Sequence, residues 1–409
     1  MQILMPPGAA AVLALLERAG YAAYVVGGCV RDSLLGLPPQ DWDICSAAPP
    51  EATAALLQAR GIRVLAAGLR HGTITADLGA QGRYEITTFR VDGPYADHRR
   101  PSRVDFVTDV REDLARRDFT INAMAYRPGE GLVDPFGGAA ALRVGEIACV
   151  GEPAARFQED ALRILRALRF AAVYGFALSP ETAAALHAQA QLLRAVAAER
   201  VREELGKLLV GPSAAAVLLA YRDVLAVPLP ETAAYPAADY ETAVRAALAA
   251  SEPAVRMALL LRPLGPAGAE VLARLRFDRR TVERAAELLQ WRDAPLEASP
   301  ASARRWLARL GTEGLARLLD AESVQARAAG DAARWARCQA LRQAAAAQAG
   351  ACTSLRDLAV RGGDLLALGI PPGRAVGEAL SALLAEVVDG SLENERGALL
   401  ARAAKWIGN

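Results

Sequence analysis

Apolar and polar residues follow two different patterns in the first 90 residues. Residues 9–19 repeat apolar positions at helical spacing and stop at Gly20, whereas the aromatic and β-branched run 21–26 is typical of a strand. A second helix is predicted at 50–61. Because the remaining apolar runs are short and strand-like, we predict a compact α/β unit built around a single sheet. These additional strand-like runs are 41–45, 62–67, 72–78 and 83–90.

The pattern changes after residue 152, where long runs rich in Ala, Leu and Arg predict helices almost to the end of the chain. Between the two parts, segment 91–104 is dense in Gly, Pro, Asp and Arg and shows neither period, so we predict a long mobile loop. The fold class expected from the pattern is α+β, with a mixed N-terminal part and an all-α remainder. Gly and Pro interrupt the helices at 174–181, 210–213, 227–237, 261–268 and 362–373.

Length and composition restrict the class of protein. With 409 residues the chain is too long for one hydrophobic core, so two to four structural units are expected. No apolar run approaches the roughly 20 residues that span a bilayer, and the N-terminus has no basic segment followed by an apolar one. We therefore expect a cytoplasmic protein that does not contact membranes. The five cysteines lack the spacing of a disulfide framework or a zinc site, and we expect unpaired thiols.

Basic charge is carried almost wholly by arginine, because only two of the 47 basic residues are lysine. Guanidinium groups can bind phosphate with two parallel hydrogen bonds, although codon bias explains the composition equally well. The net charge of +1 gives none of the basic excess that is usual in nucleic-acid-binding proteins. An RNA-binding face would therefore require basic residues to be gathered on one side of the fold.

Two aspartates, Asp41 and Asp43, lie one residue apart at the start of the second predicted strand. Residues i and i+2 of a strand share a face, so the two carboxylates would lie together while Trp42 and Ile44 point into the core. Such a pair can hold Mg²⁺, which takes one or two carboxylates together with substrate phosphates. An exposed strand end, or Asp41 as a loop cap, is the alternative that the pair alone leaves open.

Two glycines, Gly27 and Gly28, close the first predicted strand upstream of the aspartates. They let the backbone approach a ligand, the short helix that follows can hold an anion, and Arg31 adds a forked donor for phosphate oxygens. Neither G-x-G-x-x-G nor G-K-[ST] is present, which excludes the dinucleotide-binding and Walker fingerprints. The order of Gly-Gly, Arg and D-x-D indicates nucleoside-triphosphate chemistry with a metal.

The glycines and the aspartates belong to one stretch, GGCVRDSLLGLPPQDWDI (27–44). Four further segments follow it in order: RRDFTINAMAY (116–126), DPFGG (134–138), EDALRILRALRF (159–170) and AERVREELGKLL (198–209). Together they resemble the motifs of the class II tRNA nucleotidyltransferase and bacterial poly(A) polymerase family, in the polymerase-β-like superfamily. Segment 355–380 also resembles the tail of Gram-positive-type members. The resemblance implies a polymerase-β-like head of helices and a small sheet, then an all-α neck, body and tail, at 1–150, 151–212, 213–322 and 323–409.

The family adds nucleotides to an RNA 3′-hydroxyl and releases pyrophosphate, assisted by two metal ions. The resemblance therefore implies a two-Mg²⁺ site in which Asp41 and Asp43 are ligands. Glu85 is the candidate for a third catalytic carboxylate, with an exposed strand position as its alternative. Asp118 is expected to accept a hydrogen bond from the ribose 2′-hydroxyl. The other implied nucleotide-binding residues of the head are Gly27, Gly28, Arg31, Arg117 and Asn122.

In the neck, Asp160 and Arg163 lie three apart on a predicted helix and would be neighbours, with Arg166 and Arg169 continuing the row. The resemblance implies that the aspartate accepts from a base amino group and Arg163 donates to a ring acceptor. C and A offer that combination, whereas U and G do not. Without the resemblance, these residues would be read as intrahelical ion pairs.

The resemblance is strongest to CCA-adding members without a His-Asp hydrolase domain, since His71, His98 and His187 are dispersed and His71 is expected to be structural. We expect CTP, ATP and tRNA as ligands and no required protein partner. CCA addition is favoured because segment 91–104 resembles an intact flexible loop and a G-R-R-F signature of poly(A) polymerases is absent. Addition of A only is the second hypothesis, and poly(A) addition is the third.

Binding of tRNA is expected in the tail, where Arg327, Arg334, Arg337 and Arg342 form a basic helix face that could equally be solvated surface. Two other classes of protein fit the sequence less well. An RNA-binding protein without catalysis is disfavoured because both aspartates of the D-x-D are present. A small-molecule nucleotidyltransferase would need neither the EDALR helix nor a long tail.

Overall fold

The structure is a computed structural model that describes residues 2–68, 72–93 and 103–406. The chain forms two compact units, Met1–Ala233 and Ala234–Asn409. Strands within the described residues all belong to the first unit. The fold class is therefore α+β as expected, while the finer division into head, neck, body and tail remains a prediction.

A seven-stranded mixed sheet forms the centre of the first unit, in the order β3-β4-β5-β2-β1-β8-β9. Strands β2 and β5 are parallel, and the other neighbours are antiparallel. Strands β6 and β7 form a separate hairpin, and β10 pairs with β11. The strands are β1 Ala23–Val26, β2 Ile44–Ser46, β3 Arg63–Gly68, β4 Thr73–Asp77, β5 Arg83–Thr88, β6 Arg90–Asp92, β7 Val104–Phe106, β8 Ala125–Arg127, β9 Gly131–Val133, β10 Glu146–Ile147 and β11 Ala177–Leu178.

Helices cover the sheet and continue the first unit beyond it. The central helix α7 packs against α9 and α10 through a buried face of Leu, Ile and Ala side chains. The helices of this unit are α1 Pro7–Arg18, α2 Gly28–Leu34, α3 Pro50–Gln58, α4 Val110–Ala115, α5 Gly138–Val144, α6 Pro153–Glu159, α7 Leu162–Tyr174, α8 Pro180–Gln189, α9 Ala198–Leu208, α10 Ala214–Ala220 and α11 Arg222–Leu225.

The second unit is helical throughout its described residues. Its longest helix, α16, bends at Gly311, where a positive φ of 67° interrupts the helical backbone. A buried carboxylate, Glu322, accepts hydrogen bonds from Arg262 and Arg334. The helices are α12 Ala237–Ala249, α13 Pro253–Leu260, α14 Gly268–Arg274, α15 Arg279–Gln290, α16 Pro300–Ala329, α17 Ala332–Ala346, α18 Gly362–Ala367, α19 Arg374–Asp389 and α20 Arg396–Ala404.

The predicted strand at 41–45 is shorter than expected, because β2 begins only at Ile44. Asp41 and Asp43 therefore precede the strand, although the carbonyl of Asp43 still accepts a hydrogen bond of 3.0 Å from the Val26 amide. Ile44 is buried as expected, whereas Trp42 is only half-buried and the prediction for it was wrong. Ile44, Cys45 and Ser46 pair with both β1 and β5, whereas Asp41, Trp42 and Asp43 are in neither register, so β2 begins at Ile44.

The prediction of one continuous helix over 159–170 was wrong, because the helix is interrupted at Asp160. α6 ends at Glu159, and Asp160 has the extended φ and ψ of −139° and 103°. Its carboxylate accepts a hydrogen bond of 3.1 Å from the Leu162 amide at the start of α7. Aspartate favours such local side-chain bonds over a continuous helix, so one predicted helix becomes two.

The segment 91–104 was predicted to lack regular structure, but its two ends belong to the β6–β7 hairpin. Residues 94–102 lie outside the described residues, as do His71 and His98. The five cysteines are buried and unpaired, as the sequence indicated. None of the described helices has the length and hydropathy needed to cross a membrane.

Candidate active site

Three carboxylates lie at the edge where β2 begins. Parallel pairing of Ile44 with Ile86 brings Asp43, the residue before Ile44, beside Glu85 on β5. The side chains of Asp41, Asp43 and Glu85 are all exposed. Nearby protein atoms nevertheless restrict the hydration of Asp43, and this is the main cause that raises its pKa. Glu85 and Asp41 raise it further, whereas Arg117 acts in the opposite direction.

A divalent cation fits this set of hard oxygen donors, because it would relieve the repulsion that raises the pKa of Asp43. The described residues contain no group of three or more His, Cys, Asp or Glu side chains that is already arranged to hold a metal ion. Asp41 and Asp43 would therefore hold a metal together with phosphate oxygens of the substrate. The part of Glu85 as a ligand stays a prediction.

Two glycines and two arginines lie together near the carboxylates. Gly27 has a positive φ of 79°, and a Cβ atom there would lie 3.0 Å from Nη1 of Arg117. A Cβ atom on Gly28 would lie 3.5 Å from Nη2 of Arg31. The two guanidinium groups thus converge on the glycine pair, and the missing side chains leave room beside both. This is the environment that a triphosphate requires.

Arg117 is held by a buried acid beneath it. Its Nη2 donates to Oδ2 of Asp113 at 3.2 Å, and Arg116 donates to the other oxygen. Burial alone would lower the pKa of Arg117, but the Asp113 carboxylate more than compensates and raises it. Arg117 therefore stays charged, and its Nη1 remains beside Gly27.

Arg31, Asn122, Asp118 and Arg166 form a continuous chain of hydrogen bonds through the interior. Arg31 donates through Nη1 to Oδ1 of Asn122 at 2.5 Å, and the Asn122 Nδ2 donates to Oδ1 of Asp118 at 3.1 Å. Arg166 donates to Oδ2 of Asp118 from Nε at 2.8 Å, and its Nη2 lies 2.6 Å from the same oxygen. An amide is needed at 122 because one end must accept and the other must donate.

Asp118 is only 8% exposed; its Oδ1 accepts two hydrogen bonds, from the Phe119 amide and from Asn122, and its Oδ2 accepts one from Arg166. Burial alone would raise its pKa, but Arg166 and the Asn122 bond lower it to about 2. The residue is therefore a fully ionised anchor that orients Arg166. Its expected contact with the ribose 2′-hydroxyl would have to share an oxygen with these donors and stays a prediction.

A single aromatic ring on α7 organises three arginines. The guanidinium carbons of Arg31, Arg166 and Arg169 lie 5.2, 5.4 and 4.3 Å from the centroid of the Phe170 ring. Tyr174 stacks on Phe170 one turn later, and Arg169 also pairs with Glu204 at 3.2 Å. The motifs indicate the arginines but give no role to Phe170, the last residue of EDALRILRALRF.

Asp160 and Arg163 do not pair with each other. The carboxylate of Asp160 binds Arg200 in a bidentate way, with distances of 3.1 and 2.8 Å. Arg163 is 9% exposed and donates to Oε2 of Glu159 at 2.6 Å and to the Arg116 carbonyl at 3.2 Å. The break at Asp160 separates the two side chains that a continuous helix would have placed together. Arg200 was missed, although it lies in the segment AERVREELGKLL.

The four predicted RNA-binding arginines of the second unit differ in their surroundings. Arg334 is engaged by the buried Glu322 at 2.5 Å and contributes to the interior of the unit. Arg327 is exposed and lies over the Trp335 ring, Arg337 is exposed, and Arg342 pairs with Asp320 at an accessible position. The last three could reach phosphates, and their role in RNA binding stays a prediction.

Three family models match parts of the chain. Residues 23–148 match the model of the poly(A) polymerase head domain, and residues 175–235 match the "probable RNA and SrmB-binding site of polymerase A". Residues 259–403 match a model of tRNA nucleotidyltransferase domain 2. The chain is 39% identical over 394 residues to the CCA-adding enzyme of Geobacillus thermodenitrificans, covering 94% of this chain and 93% of that protein.

The chain belongs to the CCA-adding enzyme family. A second member, from Limosilactobacillus fermentum, is 36% identical over 97% of this chain and 96% of its own. The crystal structure of the Bacillus stearothermophilus CCA-adding enzyme in complex with CTP covers 99% of this chain and 98% of that one, at 34% identity and a TM-score of 0.76. The Thermotoga maritima enzyme complexed with tRNA, at 20% identity and a TM-score of 0.65, shares the fold.

Membership confirms the resemblance and the fold class that the sequence indicated. For a CCA-adding family member, divalent metal use is implied.

Proposed function

We propose that this enzyme adds CMP and AMP to the 3′ end of tRNA without a nucleic-acid template, using CTP and ATP, to build or repair the CCA terminus. The observation that carries the proposal is the convergence of Arg31 and Arg117 on Gly27-Gly28, beside the carboxylate of Asp43. This arrangement suits a triphosphate and a metal, and it occurs in a chain related over nearly its whole length to CCA-adding enzymes.

In the proposed reaction, the RNA 3′-hydroxyl oxygen forms a bond to the α-phosphorus of the incoming nucleotide. The bond to the bridging oxygen breaks, pyrophosphate leaves with the electron pair, and the hydroxyl proton passes to solvent. Arg31 and Arg117 bind and orient the triphosphate and neutralise charge that develops on it. Asp41 and Asp43 would hold two Mg²⁺, which when bound activate the attacking oxygen and stabilise the leaving group.

Selection of the base is assigned to Asp160 and Arg163. The carboxylate of Asp160 can accept from the amino group that C and A both carry, while Arg163 can donate to the adjacent ring nitrogen. Arg200 holds the Asp160 carboxylate from one side, which fixes its orientation without neutralising its ability to accept further bonds. Arg166 and Arg169, which are oriented by Asp118 and Glu204, are the other residues assigned to base selection.

Addition of A alone and synthesis of poly(A) are the competing activities. Neither is favoured by a specific contact among the described residues, and residues 94–102, which bear on the first alternative, lie outside them. A protein that only binds RNA is disfavoured, because such a protein would not need Arg31 and Arg117 beside Gly27-Gly28 or the carboxylate of Asp43 next to them.

The test is incorporation of labelled nucleotides into tRNA that ends before its CCA sequence, with Mg²⁺ and with CTP and ATP separately and together. Incorporation of C followed by a single A supports the proposal. Incorporation of A only onto tRNA ending in CC would establish the A-adding activity, and long A tracts would overturn both. Asp43→Asn should lower kcat by about 10³-fold or more, whereas exposed Glu112→Gln in the same unit should not.

A further inference from the structure

The second unit contains a cavity of about 590 Å³ that has no part in the chemistry described above. Two of the five tryptophans form one wall, because the rings of Trp291 and Trp306 meet edge to face with centroids 5.4 Å apart. The guanidinium carbon of Arg309 lies 4.5 Å from the Trp291 ring and 5.8 Å from the Trp306 ring. The wall thus consists of the Arg309 guanidinium over the Trp291 ring, with the Trp306 ring perpendicular to that of Trp291.

The rim of the cavity is polar but has no net charge. Arg305 and Asp389 form an exposed ion pair of 3.0 Å, and Glu297 also lines the opening. Arg309 is exposed and forms no ion pair with any residue in the part of the chain that the structure describes. Two arginines facing two carboxylates provide little attraction for a phosphate group.

A ligand for this cavity must therefore present a flat unsaturated face and a rim of hydrogen-bond donors and acceptors. A nucleobase has both properties, whereas an aliphatic chain would offer no hydrogen-bond partner to Arg309, which has no ion pair among the described residues. Unpaired bases in RNA loops are commonly bound by stacking on aromatic rings and on guanidinium planes. The volume is ample for one base and part of its ribose.

We propose that this cavity binds an unstacked base of the tRNA substrate. The inference rests on the proposed function, which supplies RNA as the macromolecule in contact with the second unit. The residues that bind the incoming nucleotide belong to the first unit, so this site would read the substrate and not the triphosphate. Stacking tolerates different bases, so affinity and placement of the tRNA are the properties that it sets.

Trp291→Leu and Arg309→Ala test the proposal in the full-length enzyme. Each should raise the Kd for tRNA about tenfold, measured by direct binding without nucleotides, because each removes one stacking partner. Trp291→Phe keeps an aromatic face and should restore most of the affinity. Arg279→Ala is the matched control, since Arg279 is exposed in the same unit and pairs only along its own helix with Glu283. It should leave the Kd unchanged.

The dependence of Kd on salt distinguishes a base contact from a phosphate contact. Stacking predicts that Arg309→Ala weakens binding without changing the slope of log Kd against log salt concentration. A slope reduced by about one, a Kd unchanged in both variants, or equal losses in Arg279→Ala would overturn the proposal. Arg309 is exposed, so that variant remains informative if Trp291→Leu fails to fold.

Turnover separates this site from catalysis. With saturating tRNA, the kcat for CMP addition should be unchanged in Arg309→Ala, because the residue acts on substrate binding alone. A parent enzyme that binds tRNA but incorporates no nucleotide would refute the proposed function and leave the binding result valid. An Arg309→Ala enzyme with a lowered kcat and an unchanged Kd would refute the base-binding site instead.

Discussion

Arginine is used in two different ways in the two compact units. In the first unit, Arg31, Arg117 and Arg166 are fixed by buried acids, an amide and the Phe170 ring. On the surface of the second unit, Arg279 and Arg374 pair only with a glutamate one helical turn away and are about nine-tenths exposed. Exposed pairs of this kind contribute little and are screened by salt. The comparison separates arginines fixed by buried partners, as Arg262 and Arg334 also are at Glu322 in the second unit, from arginines that only pair on the surface.

The largest effect is expected from Arg31→Lys. Lysine keeps the charge but loses the fork that bonds Asn122 and Asp32 and stacks on Phe170 and Tyr174. We expect kcat/KM for both CTP and ATP to fall by about 100-fold, measured by steady-state incorporation. Arg279→Lys, which alters an exposed pair, should have no effect. Similar losses in both variants would remove the distinction between the two kinds of arginine.

A smaller effect is expected from Asn122→Asp, which differs from the parent by one polar atom. The carboxylate can still accept from Arg31, but it cannot donate to Asp118 and adds a second negative charge in the interior. The KM for CTP and ATP should rise by about tenfold, and the midpoint of thermal unfolding should fall. Asn122→Ala should be at least as damaging, and a normal KM in both variants would show that the chain of bonds does not position Arg31.

The ion pair of Asp118 predicts a pH dependence of stability. Its folded-state pKa of about 2 lies below the usual value near 3.9, so the pair stabilises the fold above about pH 4 and the gain is lost as the pH falls from there towards 2. The contribution is about 2 kcal/mol at neutral pH. Urea unfolding should show Asp118→Asn less stable by this amount at pH 7, with the difference narrowing below pH 4. A difference that is constant with pH would contradict the assignment.

The smallest of the four effects is expected from Arg200→Lys, because Arg200 acts through Asp160. Loss of the bidentate pair should free the carboxylate to rotate, lowering kcat/KM for CTP and ATP by about threefold while UTP is affected less. Arg202→Lys on the same helix is the matched control. Equal reductions for all three nucleotides would show that Arg200 supports the helix and has no part in base selection.

Local patterns predicted most of the secondary structure of the first 90 residues, since the β1, β3, β4 and β5 runs and the α1 and α3 helices lie where periodicity placed them. The motifs also pointed to Gly27, Gly28, Arg31 and Arg117, which the structure brings close together. Periodicity failed at Asp160, where a side-chain hydrogen bond competes with the helix over a single turn. Such competition depends on one local contact and leaves no signal at the scale of a helical repeat.

The partners of the site residues could not be predicted, because they come from distant parts of the chain. Asn122 is 91 positions from Arg31, and Arg200 is 40 positions from Asp160. Spacing along one helix suggested an Asp160–Arg163 pair, whereas packing of α9 against α7 supplied Arg200. The third carboxylate, Glu85, was suggested by its strand alone, and the parallel register of β2 and β5 explains why it lies beside Asp43.

The buried thiols have a practical consequence for work on this enzyme. Burial raises the pKa of Cys29 and of Cys149 to about 12, and it raises the pKa of the other three cysteines as well. The reactive thiolate is therefore scarce near neutral pH, even for Cys29 in the helix that follows the phosphate-binding glycines. The native chain should resist alkylating agents, and a single cysteine introduced on its surface would carry a fluorophore without competition from the five natural ones.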